Sequence, residues 1–220
     1  MMISLISGAF APGLALLSFI YLKDKYEPEP LSLIVKLFIL GGVLVFPAYV
    51  IERVFQEGIT NFEIFTKVIN IAIIEEFLKW FTLYFIMYKH IEFNEPYDGV
   101  VYSVSIAIGF ATIENLGFLF FNSVEPTLIL LRAFLPVSGH ALFAIIMGYF
   151  IGQAKFNKNK NRHKLLFLSL AIPIFTHSIY NLILYQTFTE WFYLMIPFLI
   201  GLWWYGLRRI KIANASSPLR

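Results

Sequence analysis

Apolar residues fall into seven runs of roughly 20, the length at which a helix spans a bilayer. They cover about Met2 to Leu22, Leu33 to Val54, Phe65 to Tyr88, Tyr97 to Phe121, Leu128 to Gly152, Leu165 to Tyr185 and Trp191 to Leu207. Short polar segments separate them, and prolines close the first at Pro28 and Pro30. The pattern predicts an all-α polytopic membrane protein, a bundle of seven transmembrane helices, or eight if Pro47 or Pro136 breaks a run. Gly41-Gly42 with Pro47 marks the second run for a kink or close packing. No internal repeat or low-complexity tract interrupts the chain, so residues 1–220 read as a single domain. The first run lacks a basic leader and reads as a retained span rather than a signal peptide. Ala213 to Arg220 reads as a frayed tail.

Composition supports the pattern. The chain is 59% hydrophobic and 14% charged, with a mean hydropathy of +0.73. A water-soluble domain is nearer half apolar and about a quarter charged. A net charge of +3 requires no nucleic acid as a partner; the lipid bilayer is the partner implied. The absence of cysteine excludes disulfides, thiolate metal sites and a cysteine nucleophile. Twelve Lys and Arg residues follow runs one, three, five and seven, against three (Arg53, Lys67, Arg132) on the opposite side. The richer side faces the cytoplasm. The expectation is a multi-pass protein of the cell membrane with its N-terminus outside and its C-terminus in the cytoplasm.

Against this background the third run stands out, because Glu75, Glu76 and Lys79 lie near its middle. A charge at that depth costs about 2.5–3.5 kcal/mol on insertion scales. Under the expected topology Glu114, His140, His177 and Asn181 fall at overlapping depths on three other helices, between mid-membrane and the outer leaflet. Lys79 is i+4 from Glu75 and i+3 from Glu76, within reach of both. The two glutamates diverge by about 100° around the helix, which predicts that one faces the reaction centre while the other holds Lys79 or Arg132. His177 and Asn181 share a face, as do Phe110 and Glu114. Such groups suit water activation by a carboxylate, with or without a metal, and oxyanion stabilisation by Asn181 and a histidine. His140, His177 and Glu114 are the candidate ligands of a divalent metal such as zinc. The plainer reading is an interhelical salt bridge and polar contacts that fix packing. Asp98, at the inner end of the fourth run, reads as a solvated structural carboxylate. No H-E-x-x-H helix and no G-x-S-x-G elbow occurs, and two aspartates at helix ends, Asp24 and Asp98, cannot form a buried aspartyl dyad.

Glu75-Glu76-x-x-Lys79, Phe110-x-x-x-Glu114, the isolated His140 and His177-x-x-x-Asn181 together resemble the PrsW family of intramembrane proteases. The resemblance includes Ala11-Pro12-Gly13, Tyr97-Asp98-Gly99, Leu135-Pro136-Val137-Ser138 and Trp203-Trp204. That family is distantly similar to the type II CAAX prenyl endopeptidases, with motifs E-E-x-x-x-R, F-x-x-x-H and H-x-x-x-N. The resemblance implies an intramembrane endopeptidase making the first, site-1 cut of a single-span anti-sigma factor in a stress response. Asn181 stands where the family commonly has Asp, which favours an oxyanion donor over a metal ligand. Two other classes fit the same residues: a proton-coupled transporter or channel, and a non-catalytic membrane scaffold.

Overall fold

A computed structural model describes residues 2–58, 64–121, 126–156, 161–185 and 191–219, with no side chain described for residues 2–6, 8, 9, 58, 64–66 and 126–133. Every expected run is helical, and the described residues contain no strand. The elements are α1 (Met2–Tyr21), α2 (Leu31–Val43), α3 (Val45–Gly58), α4 (Ile64–Thr82), α5 (Asp98–Phe121), α6 (Pro126–Phe156), α7 (Arg162–Tyr185) and α8 (Trp191–Ala215). A π-helical turn, Leu83–Met87, extends α4. Of the expected breaks, the one in the second run occurs and the one in the fifth does not. Pro47 has no N–H for the Val43 carbonyl and crowds it, and α2 gives way to α3 at Leu44. Leu44 stays helical, its N–H bonded to the carbonyls of Leu40 and Gly41, so Leu31–Glu57 forms one apolar segment. α6 passes through Pro136 without interruption. By length and composition Leu31–Glu57, Asp98–Phe121, Phe134–Phe156 and Arg162–Tyr185 can each cross a membrane. The chain is an all-α polytopic membrane protein.

α5 is the axis of the bundle, buried from Asp98 to Thr112 without a gap and packed against α1, α2 and α6. Such an all-round buried helix needs thin partners, and glycine supplies them. A Cβ at Gly41 would overlap the Ile106 carbonyl, and one at Gly109 the Phe38 carbonyl, so α2 and α5 touch backbone to backbone. Gly99 and Gly148 do the same between α5 and α6. α7 packs on α6 and carries α4 on its other side; α8 covers α6. Large apolar side chains such as Phe46, Phe85 and Phe167 point outward, as lipid-facing residues do.

Several cross-links stitch one end of the bundle. Tyr97 donates to the Ile20 carbonyl at 2.7 Å, and the Asn94 amide to Glu27 at 3.0 Å. Lys155 reaches the His90 carbonyl, and Asn214 the Lys23 carbonyl. The loops after runs one, three and five and the end of α8 therefore share one face; of the basic residues counted there, Lys158, Lys160 and Arg220 lie outside the described residues. Two expectations change at this end. The start of the tail is not frayed: α8 continues to Ala215, with Ala213 and Asn214 buried, because Asn214 is tied to the end of α1. Asp98 is not solvated. It is 0% exposed and accepts hydrogen bonds from the backbone N–H groups of Asn94 (2.7 Å) and Glu95 (2.8 Å), as the turn before α5 folds over it.

Candidate active site

α4 presents Glu75, Glu76 and Lys79 along one side over a single turn. The helix is held to α7 one position beyond Lys79, where the Trp80 indole donates to the Ser169 hydroxyl at 2.7 Å. Lys79 is 2% exposed, and its ammonium lies 3.1 Å from Glu75 Oε2, 2.9 Å from Glu76 Oε1 and 3.0 Å from His140 Nδ1. Its Nζ also sits 4.2 Å from the centre of the Phe110 ring, a cation–π contact. Lys79 is held by both glutamates rather than by one of them, as the spacing had suggested. Three rotatable bonds in each side chain overcome the angular offset of their Cα positions, and the charge between them draws both in. The Arg132 side chain, the alternative partner, lies outside the described residues.

Two histidines complete the cluster. His177 Nδ1 is 3.0 Å from Glu76 Oε1, and His140 Nε2 is 3.0 Å from Glu114 Oε2 and 4.0 Å from Glu75 Oε2. An ammonium has hydrogens and no lone pair, so His140 Nδ1 must accept from Lys79, and Nε2 carries the hydrogen that Glu114 receives. An ionised Glu76 only accepts, so His177 Nδ1 is the donor there. The imidazoles lie with ring centres 5.3 Å apart, and Phe143 stacks on His177 at 4.9 Å. Glu75, Glu76, His140 and His177 are all buried, whereas the Glu114 side chain is 32% exposed and forms the open edge.

Six of the seven sequence candidates are thus joined in one array: Glu75, Glu76, Lys79, Glu114, His140 and His177. Asn181 is half-buried one turn from His177 and makes no hydrogen bond or ion pair to the others among the described residues. Two contributors escaped the sequence reading. Phe143 could have been found from its i+3 spacing to His140. Glu52, on α3, interacts electrostatically with Glu75 and Glu114 and lines a cleft with Gln56, Lys67 and Asn70. It sits close to the end of its apolar run, where a carboxylate draws no notice.

The donors suit a metal. One ligand atom from each of Glu75, Glu76, His140 and His177 lies within 4.8 Å of all the others, and two carboxylates with two imidazoles form a set that zinc accepts. Glu114 is outside that set and instead hydrogen-bonds one of its members, the place of a supporting carboxylate behind a histidine.

A helical membrane bundle enclosing a buried carboxylate–imidazole–ammonium centre holds the groups that hydrolysis inside the bilayer requires. Residues 29–203 match the family model described as PrsW family intramembrane metalloprotease. The chain is 48% identical over 217 residues to "Protease PrsW" of Geobacillus kaustophilus (98% of this chain, 95% of that protein). It is 44% identical over 220 residues to that of Bacillus subtilis, covering 100% of both. Identity to that of Clostridioides difficile is 34% over 220 residues (96% and 92%). No solved structure shows a significant match. The chain belongs to the PrsW family and is an intramembrane protease, which favours the enzyme over the transporter and the silent scaffold.

Proposed function

We propose that the enzyme makes the first, site-1 cut in a single-span anti-sigma factor, hydrolysing a peptide bond in the outer half of the bilayer. The substrate follows from membership of the PrsW family; the observation that carries the chemistry is the continuous array from His177 through Glu76, Lys79 and His140 to the partly exposed Glu114, with Glu75 on its flank. Glu76 holds both Lys79 and His177 through one oxygen, at 1% exposure, and serves as the anchor. Among the described residues Glu75 accepts from Lys79 alone, and at 6% exposure against 1% for Glu76 it is the less enclosed of the two, which suits it to be the general base. It takes a proton from water as the water oxygen bonds to the scissile carbonyl carbon. The carbonyl oxygen gains the negative charge, which the nearby Lys79 ammonium offsets through space while the Asn181 amide donates a hydrogen bond. Collapse breaks the C–N bond, and the departing nitrogen receives the proton Glu75 took. Glu114 orients His140 and links it to solvent. Zinc held by Glu75, Glu76, His140 and His177 would supply a Lewis acid and a more acidic water.

Purified enzyme in liposomes with a single-span anti-sigma substrate tests this. Glu75→Gln is expected to lower cleavage by about 10²–10⁴-fold, the usual range for a lost general base. Unchanged cleavage by Glu75→Gln ends its assignment as base. A chelator arm separates the two forms of the mechanism: loss restored by zinc requires the metal, and persistence leaves the glutamate alone.

A further inference from the structure

A second buried group of carboxylates lies at the stitched end, where the mechanism makes no use of it. Asp24 follows α1, Glu95 lies in the turn before α5, and Asp98 opens α5. One oxygen from each lies within 4.8 Å of the others. Four of their oxygens are buried and receive no hydrogen bond from an N–H or hydroxyl group among the described residues: Asp24 Oδ2, both oxygens of Glu95, and Asp98 Oδ1. The carboxyls instead approach one another, Asp24 against Glu95 and Asp98 against Glu29. Glu95 is the most telling, because its side chain is 0% exposed and no N–H or hydroxyl group among the described residues reaches either oxygen; its one polar neighbour there is the Asp24 carboxyl. Glu29, 3% exposed, stands beside Asp98 and accepts a hydrogen bond from the Tyr102 hydroxyl.

No described Lys or Arg forms an ion pair with these four residues. Lys155, the cation with an electrostatic link to Asp98, instead gives its hydrogen bond to the His90 carbonyl and lies over the Phe93 ring. Converging carboxylate oxygens without a countercharge carry a desolvation cost of several kcal/mol per ion. Either protons or a cation must neutralise them. Burial, with the neighbouring carboxylates adding to it, pushes the Asp24 and Glu29 carboxyls up to about 7.

We propose that Asp24, Glu95 and Asp98 bind a hard divalent cation, Ca²⁺ or Mg²⁺, which ties the end of α1 to the start of α5. An all-oxygen, carboxylate-rich site selects this class, because no imidazole or thiolate is present to favour a softer metal. The site is separate from the catalytic centre and shares no residue with it.

Tyr97 and Tyr102 border the site, so Tb³⁺, a luminescent stand-in for Ca²⁺, can be excited through them. The full-length protein in detergent at pH 7.5 is expected to show saturable tyrosine-sensitised Tb³⁺ emission that Ca²⁺ or Mg²⁺ competes away. Glu95→Gln and Asp24→Asn should each weaken binding by about tenfold or more, and Glu76→Gln should leave it unchanged. Asp24 is only half-buried, so Asp24→Asn keeps the test intact if Glu95→Gln fails to fold. Absence of saturable emission would overturn the proposal and leave shared protons as the neutralising charge. Loss through Glu76→Gln with retention in Asp24→Asn would also overturn it, by locating the ion in the catalytic centre.

Discussion

Lys79 has three hydrogens to give and three acceptors to receive them, Glu75, Glu76 and His140. Removing the ammonium would leave two carboxylates buried without their cation. Lys79→Met is therefore expected to cost about 3–5 kcal/mol of stability, read as a lower unfolding temperature in detergent, as well as cleavage activity. An unchanged unfolding temperature would mean that the glutamates are neutral or paired elsewhere. The residues of this centre were legible because each is an expensive exception to an apolar run. Their pairing was not. Helical spacing brings Glu75 and Glu76 within reach of Lys79 but says nothing of which way flexible side chains turn, and it cannot show that Lys79 would reach across to His140 on α6. Asp24 and Asp98 were misread as separate solvated residues, and Glu29 and Glu95 were passed over, for the opposite reason. A carboxylate at a helix end looks solvated, and only the folding of the 88–97 turn over α1 shows otherwise.

At the scale of elements, the helices were plain because apolar length is the strongest signal a membrane chain carries. α4 was found with them although it carries four charged residues, Lys67, Glu75, Glu76 and Lys79. What the runs could not convey is their order in space. α5 lies at the centre because Gly41 and Gly109 let two backbones meet, and Gly99 with Gly148 repeats the device on the other side. Gly109→Leu should force α2 and α5 apart and destabilise the protein by about 1–3 kcal/mol or more. Gly117→Ala is the matched control. Nothing lies within 4 Å of a Cβ there, so a gain of about 0.5–1 kcal/mol from helix propensity is expected. Thermal unfolding of both variants in detergent checks the pair; equal effects would show that the contact does not limit packing.

For the whole molecule, the asymmetry of Lys and Arg predicts that the stitched end is cytoplasmic. The chain has no cysteine, so single cysteines can be read without a background. Lys25→Cys and Ser216→Cys should react with a membrane-impermeant thiol reagent only after cells are permeabilised, and Phe121→Cys should react in intact cells. The reverse labelling pattern would invert the orientation and move the proposed cut to the cytoplasmic leaflet.

The bond from Asn214 to the Lys23 carbonyl carries a consequence for counting. It sets the last turn of α8 beside the last turn of α1, so the first and last helices finish at one end of the bundle. A path whose first and last crossings end on the same side has crossed an odd number of times. Seven spans satisfy that parity and eight do not, which predicts that the interruption at Leu44 divides a helix without adding a passage through the bilayer.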